Sequence, residues 1–91
     1  MTSASPVLRH PGGALVEQVG ESVVVFVPEP ESLHLLDGPA ALVWQHADGR
    51  TTDELCALLR TRFPAAEDLE RDVRVTVAEL TRRGVLCQDA G

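Results

Sequence analysis

The stretch Leu33-His34-Leu35-Leu36-Asp37-Gly38-Pro39-Ala40-Ala41-Leu42-Val43-Trp44, continued by Asp48-Gly49-Arg50-Thr51-Thr52-Asp53-Glu54-Leu55, leaves a chain few ways to fold. It reads as a short strand, a turn, an apolar helix, a glycine stop and a freshly capped second helix. Asp37 or Gly38 can cap the first helix, with Pro39 in its opening turn, where a missing N–H costs nothing. Ala40, Val43, Trp44 and Ala47 recur at helical spacing and so face inward. Thr51 and Glu54 fit a capping box, in which hydroxyl and carboxylate each satisfy a free backbone donor.

Upstream, residues 1–13 read as a flexible N-terminal arm ending at Pro11-Gly12-Gly13. Ala14–Val19 has strand character, and Gly20-Glu21 suits a two-residue hairpin with Gly first. Ser22–Val27 is the strongest strand, β-branched and apolar on both faces, which predicts the middle of a small sheet. Pro28-Glu29-Pro30-Glu31 must break it, since each Pro removes a backbone donor. Ser32–Leu36 follows as a third strand at the edge of an antiparallel meander.

Downstream, Leu55, Leu58, Leu59 and Phe63 form the expected buried stripe of helix two, which Pro64 closes. Helix three is expected from about Ala66, with Glu67, Asp68 and Glu70 at its positive end and Arg82 and Arg83 at its negative end. Its stripe is Leu69, Val73, Val77 and Leu80, with Thr76 alongside, and Gly84 suits the left-handed position past its end. Val85-Leu86-Cys87 can pack back, and residues 88–91 read as a tail. The fold class is α+β, winged-helix-like: a three-stranded antiparallel sheet followed by three helices.

Charge narrows the function. The 91 residues carry a net charge of −6; all eight basic residues are Arg. Nucleic-acid affinity comes largely from Lys and Arg neutralising phosphates, so this acidity argues against it. From Ala66 to Arg83, five acids (Glu67, Asp68, Glu70, Asp72, Glu79) outnumber four bases (Arg71, Arg74, Arg82, Arg83), poor equipment for a major-groove helix. A small winged-helix transcriptional regulator binding DNA is nevertheless the alternative that the element order allows.

No apolar run approaches the roughly 18–20 residues needed to span a bilayer, and Met1–Pro6 has no secretory pattern. No membrane partner is expected, and the cytoplasm is the expected compartment. Cys56 and Cys87 read as partly buried packing residues rather than a disulfide.

Catalytic equipment is sparse. His10, His34 and His46 are scattered; His10 and His46 read as solvated, and His34 falls on the edge strand. Asp53 and Glu54 point apart on a helix and suit its N-terminus. Gly12-Gly13 precedes a strand rather than joining a strand to a helix, so no phosphate loop is present. No enzymatic site, metal or cofactor is expected.

Peptide binding needs other parts: an edge strand with free backbone groups, a helix as groove wall, and apolar pockets between them. The third strand supplies the edge. Helix three supplies Val75, off the buried stripe and flanked by Asp68, Arg71, Asp72 and Glu79, as a groove floor. Arg71 and Arg74 are placed to pair with peptide carboxylates. An exposed edge also makes a homodimer possible.

The same segments resemble the PqqD-like proteins, the RiPP recognition elements. In that family a strand runs into Leu-Asn, then a helix with paired small residues and a large apolar one, an Asp-Gly break and a Thr-initiated helix. Leu36-Asp37, Ala40-Ala41, Trp44, Asp48-Gly49 and Thr51 follow that order, and the resemblance covers residues 14–87. It implies a leader-binding domain that does no chemistry. Such a domain holds the leader of a ribosomally synthesised, post-translationally modified precursor peptide and presents it to a modifying enzyme, such as a radical SAM enzyme, a leader peptidase or a cyclase. It also implies that the leader lies against strand three and helix three, where Leu33, Leu35, Leu36 and the run around Arg71-Asp72 match the family's pattern. Together with the edge-strand reading, the candidate site is Ser32, Leu33, His34, Leu35 and Leu36 of the edge strand and Asp68, Arg71, Asp72, Arg74 and Val75 of helix three. Two departures stand out. Asp37 replaces the usual Asn, which leaves capping possible, and Thr76 replaces a common large apolar residue, which predicts a softer core or a deeper groove.

Overall fold

A computed structural model describes residues 6–89. In chain order the elements are β1 (Val7–Arg9), β2 (Leu15–Val19), β3 (Ser22–Pro28), β4 (Glu31–Leu36), α1 (Gly38–Ala47), α2 (Thr52–Arg62), α3 (Leu69–Arg82) and β5 (Cys87–Asp89). β2, β3 and β4 form the expected antiparallel meander with β3 in the middle. Gly20, at φ 62°, opens the two-residue turn, a conformation that costs a side chain dearly. The register aligns Val16, Val25 and His34 in one row and Leu15, Phe26 and Leu33 in the next. Side chains alternate across a strand, so the two rows face opposite ways.

All three helices pack on one face of the sheet. Val23, Val25, Val27 and Leu36 meet Ala41, Val43, Trp44 and Ala47 of α1, Leu55, Cys56 and Leu59 of α2, and Val73, Val77 and Leu80 of α3. The Thr51–Glu54 capping box forms as expected, with Thr51 N donating to Glu54 Oε1 at 2.8 Å and Glu54 N to Thr51 Oγ1 at 3.1 Å. At the other end of the helical half, Gly84 takes φ 80°. Its N–H reaches Thr81 O and that of Val85 reaches Leu80 O, so two carbonyls that α3 would leave open are satisfied.

Several expectations are corrected. Residues 7–9 are not a loose arm. They pair as β1 with β5, Leu8 opposite Gln88, and Leu8 is fully buried. Leu8 N donates to Arg50 O and Gly49 N to Leu8 O, both at 2.7 Å, so this segment is fastened from two sides. The rest of the expected arm, residues 1–5, and residues 90 and 91 of the expected tail lie outside the described residues. His10 is not solvated. Its ring stacks on Trp44 with centroids 3.6 Å apart, and its Nε2 donates to Trp44 O at 2.7 Å. Asp37 stands at the N-cap of α1 but its carboxylate makes no cap bond; it accepts from the Ser22 hydroxyl instead. α3 begins at Leu69 rather than Ala66. Cys87 is exposed while Cys56 is buried, and burial pushes the Cys56 thiol up, away from the reactive thiolate.

Trp44 Nε1 donates to Val85 O at 2.8 Å, so its one polar atom is paired inside the core. Trp44→Ala is expected to cost about 3–5 kcal/mol and Leu8→Ala about 2–5 kcal/mol. Chemical denaturation of the two variants checks both values. A near-neutral Leu8→Ala would mean that β1 is only a loose cover.

Candidate peptide-binding site

β4 pairs with β3 on one side and, among the described residues, with nothing on the other. Alternate residues along such an edge offer unpaired N–H and C=O groups. The side chains divide by face. Leu33 and Leu35 point outward, away from the helices, and are 70% and 59% exposed. His34 and Leu36 point inward, and Leu36 is core, so Leu36 can contribute only its backbone.

His34 is the one buried polar residue among the described residues, 8% exposed. Its Nε2 lies 2.9 Å from Ser32 Oγ, and Arg83 Nη2 makes a long 3.5 Å contact with Nδ1. A neutral ring that donates to Ser32 and accepts from Arg83 satisfies both. A proton on Nδ1 would face a guanidinium. Burial, and secondarily the Arg83 charge, hold the His34 pKa below its ordinary 6.5.

The Arg83–His34 contact links the residue that follows α3 to the middle of β4. At 100° per residue, Asp72, Thr76, Glu79 and Arg83 share one flank of the helical run, and Glu70, Arg74 and Thr81 share the other. The sequence-predicted residues therefore divide. Asp72 is on the flank that holds Arg83. Arg74 turns the other way, to Asp53 of α2 at 2.6 Å. Arg71 stays on the outward crest between Asp68 at 3.2 Å and Asp72 at 3.8 Å. Val75, 63% exposed, stands on that crest and is not a groove floor.

The apolar concavity of the surface lies elsewhere. An open cleft of about 580 Å³ lies between α1, the end of α2, the start of α3 and the β2–β3 turn. Leu42, Leu59, Phe63, Leu69, Val73 and Thr76 line it, and Gly38 and Pro39, just past the end of β4, form part of its rim. Phe63, expected in the core, is 44% exposed because it follows the last turn of α2 and faces this opening. Two residues of this surface read differently in the sequence. Arg83 read only as a helix-end charge, yet among the described residues it has no carboxylate partner, whereas Arg71, Arg74 and Arg82 each do. Phe63 read as core; the Pro64 beside it, ending the helix, was the available sign that it lies at a boundary.

The family model for coenzyme PQQ synthesis protein D (PqqD) matches residues 22–86, so the chain belongs to the PqqD family. Among solved structures, the fold is similar to that of TbiB1 in complex with the TbiA(beta) leader peptide. The TM-score is 0.73 at 16% identity, covering 86% of this chain and 93% of that one. No curated protein matches the chain.

The lowered His34 pKa has a sign. Below pH 6.5 the unfolded chain takes up a proton that the folded chain resists, so this stability is full above that pH and is lost as the pH falls toward the folded value. His46 is lowered too, by burial first and then Arg62 and Arg50, and acts in the same direction. The urea midpoint is expected to fall between about pH 7.5 and pH 5.5, and to fall less in His34→Gln. An equal drop in the variant would remove His34 as a cause.

Proposed function

We propose that this protein binds the leader segment of a ribosomally made precursor peptide along the free edge of β4 and presents it to a modifying enzyme. The observation that carries this is the open backbone of β4, bordered by the Asp72–Arg83 flank of α3 and ending at an apolar cleft. A leader added as a fourth strand gains main-chain hydrogen bonds, and pockets for alternate side chains supply the choice. Its inward side chains reach Arg83 and the cleft; its outward ones lie beside Leu33 and Leu35. Arg83, rather than Arg71 or Arg74, meets the carboxylates of the leader, because those two are already paired with acids. A TbiB1 fold solved with a leader peptide supports the reading.

The protein does no chemistry of its own here. Holding the leader raises the concentration of the attached core peptide at an enzyme's active site, and a radical SAM enzyme, a leader peptidase or a cyclase fits that role. The cytoplasm is where such a precursor meets its enzyme; among the described residues no helix is long and apolar enough to cross a membrane. A second copy would pair at the same edge, so self-association and leader binding compete for one set of backbone groups. The DNA-binding alternative gains nothing from the fold, since the Arg side chains on α3 are paired with acids rather than ranged as a basic stripe.

The test is a titration with candidate leader peptides of ribosomally made precursors. Amide shifts are expected at residues 31–36 and along the Asp72–Arg83 flank. Thr76→Phe, which fills the cleft, is expected to weaken binding about tenfold at nearly unchanged melting temperature. Arg83→Gln is expected to weaken it more at low salt than at high. Shifts confined to α2 would sink the edge-strand reading.

A further inference from the structure

The outward face of the sheet is left uncovered by every helix. Leu15, Phe26 and Leu33 form one cross-strand row on it, and Val24 with Leu35 continues the next row, which ends at Glu17. Leu15 is 66% exposed, and Phe26 and Val24 are half-buried only by their neighbours on this face. A shallow hollow of about 210 Å³, lined by Leu15, Val16, Glu17, Val24, Phe26 and Leu33, is wide enough for a large apolar side chain. Contiguous exposed apolar surface with such a socket is the usual mark of a contact site.

The charges around it say what kind. Between Arg9 and Arg50 the chain has no Lys or Arg. The exposed ionised groups of the three strands and their turns are Glu17, Glu21, Glu29 and Glu31, all acidic. A second copy placed face to face would bring these carboxylates together and strip them of water without a counter-charge, at a heavy cost. A surface that offers guanidinium or ammonium groups around an apolar centre would pair them instead.

We propose that the outward face of the β2–β3–β4 sheet docks a partner protein whose contact patch is apolar and ringed by Lys and Arg. The proposal goes beyond leader binding, which uses the backbone edge of β4. Its decisive residues, Leu15, Glu17 and Phe26, lie on β2 and β3, so either reading can fail without the other.

A synthetic amphipathic helix with a Leu face flanked by Lys serves as the probe, against the same helix with Glu in place of Lys. The full chain is expected to bind the Lys helix, with methyl shifts at Leu15, Val24 and Leu33, and to ignore the Glu helix. Leu15→Ser is expected to weaken that binding about tenfold, and Glu17→Gln to reduce its salt dependence, both at unchanged melting temperature. Sedimentation of the chain alone is expected to show no self-association through this face. Equal binding of both helices, binding of neither, shifts confined to the α1–α3 cleft, or a dimer that Leu15→Ser dissociates would each overturn the proposal.

Discussion

The Trp44 indole is the point on which the packing of this small domain depends. One face is covered by the His10 ring, and its N–H is paired with the Val85 carbonyl. A buried indole is stable only if that donor has a partner. Here the two partners come from opposite ends of the chain and are drawn onto α1 together. Once Val85 is held there, Leu86 is buried and Cys87–Asp89 can run beside Val7–Arg9. The short β1–β5 ribbon is too small to stand alone, since isolated two-stranded ribbons are marginal in water. It persists because Leu8 enters the same core and bonds to the α1–α2 connection.

That arrangement spends all of the covering elements on one side. Three helices and the β1–β5 ribbon close over Val23, Val25, Val27 and Leu36, and nothing among the described residues is left for the outward face or for the free side of β4. Natural sheets usually guard such an edge with Lys, Pro or a bulge. β4 carries none of these between Glu31 and Leu36 and sets Leu33 and Leu35 outward instead. An unguarded edge beside an apolar cleft is costly for a monomer and useful for a strand-adding ligand. The buried His34 stiffens this edge from beneath, because its ring ties Ser32 of β4 to Arg83 past the end of α3.

Much of this was legible in the sequence. The meander, the three helices, the Thr51–Glu54 box and the Gly84 stop are local signals, each decided by a few neighbouring residues. What escaped depends on contacts between distant segments. Val7–Arg9 is too short to show a period, and its partner lies at the far end of the chain. His10 could not be paired with Trp44 without the fold. Asp37 could cap or bond Ser22, and only the register of β3 against β4 decides. On α3, helical spacing alone gives which residues share a face but not which face meets β4. For that reason Arg74 read as a ligand for peptide carboxylates, while Arg83, which lies beside the strand, did not.

The charge pattern resolves a difficulty that this exposed surface creates. An open edge strand next to an apolar sheet face invites stacking between copies and, in the limit, aggregation. A chain of this size buries only about 60–65% of its unfolded surface, so it has little core with which to withdraw those side chains. Glu17, Glu21, Glu29 and Glu31 answer this by making the face-to-face approach of two copies repulsive, on a molecule whose net charge is −6. The same carboxylates do not oppose a partner of the other sign. The acids on the strands and their turns thus discriminate between a second copy and a basic surface, and the apolar centre supplies the attraction that the discrimination directs.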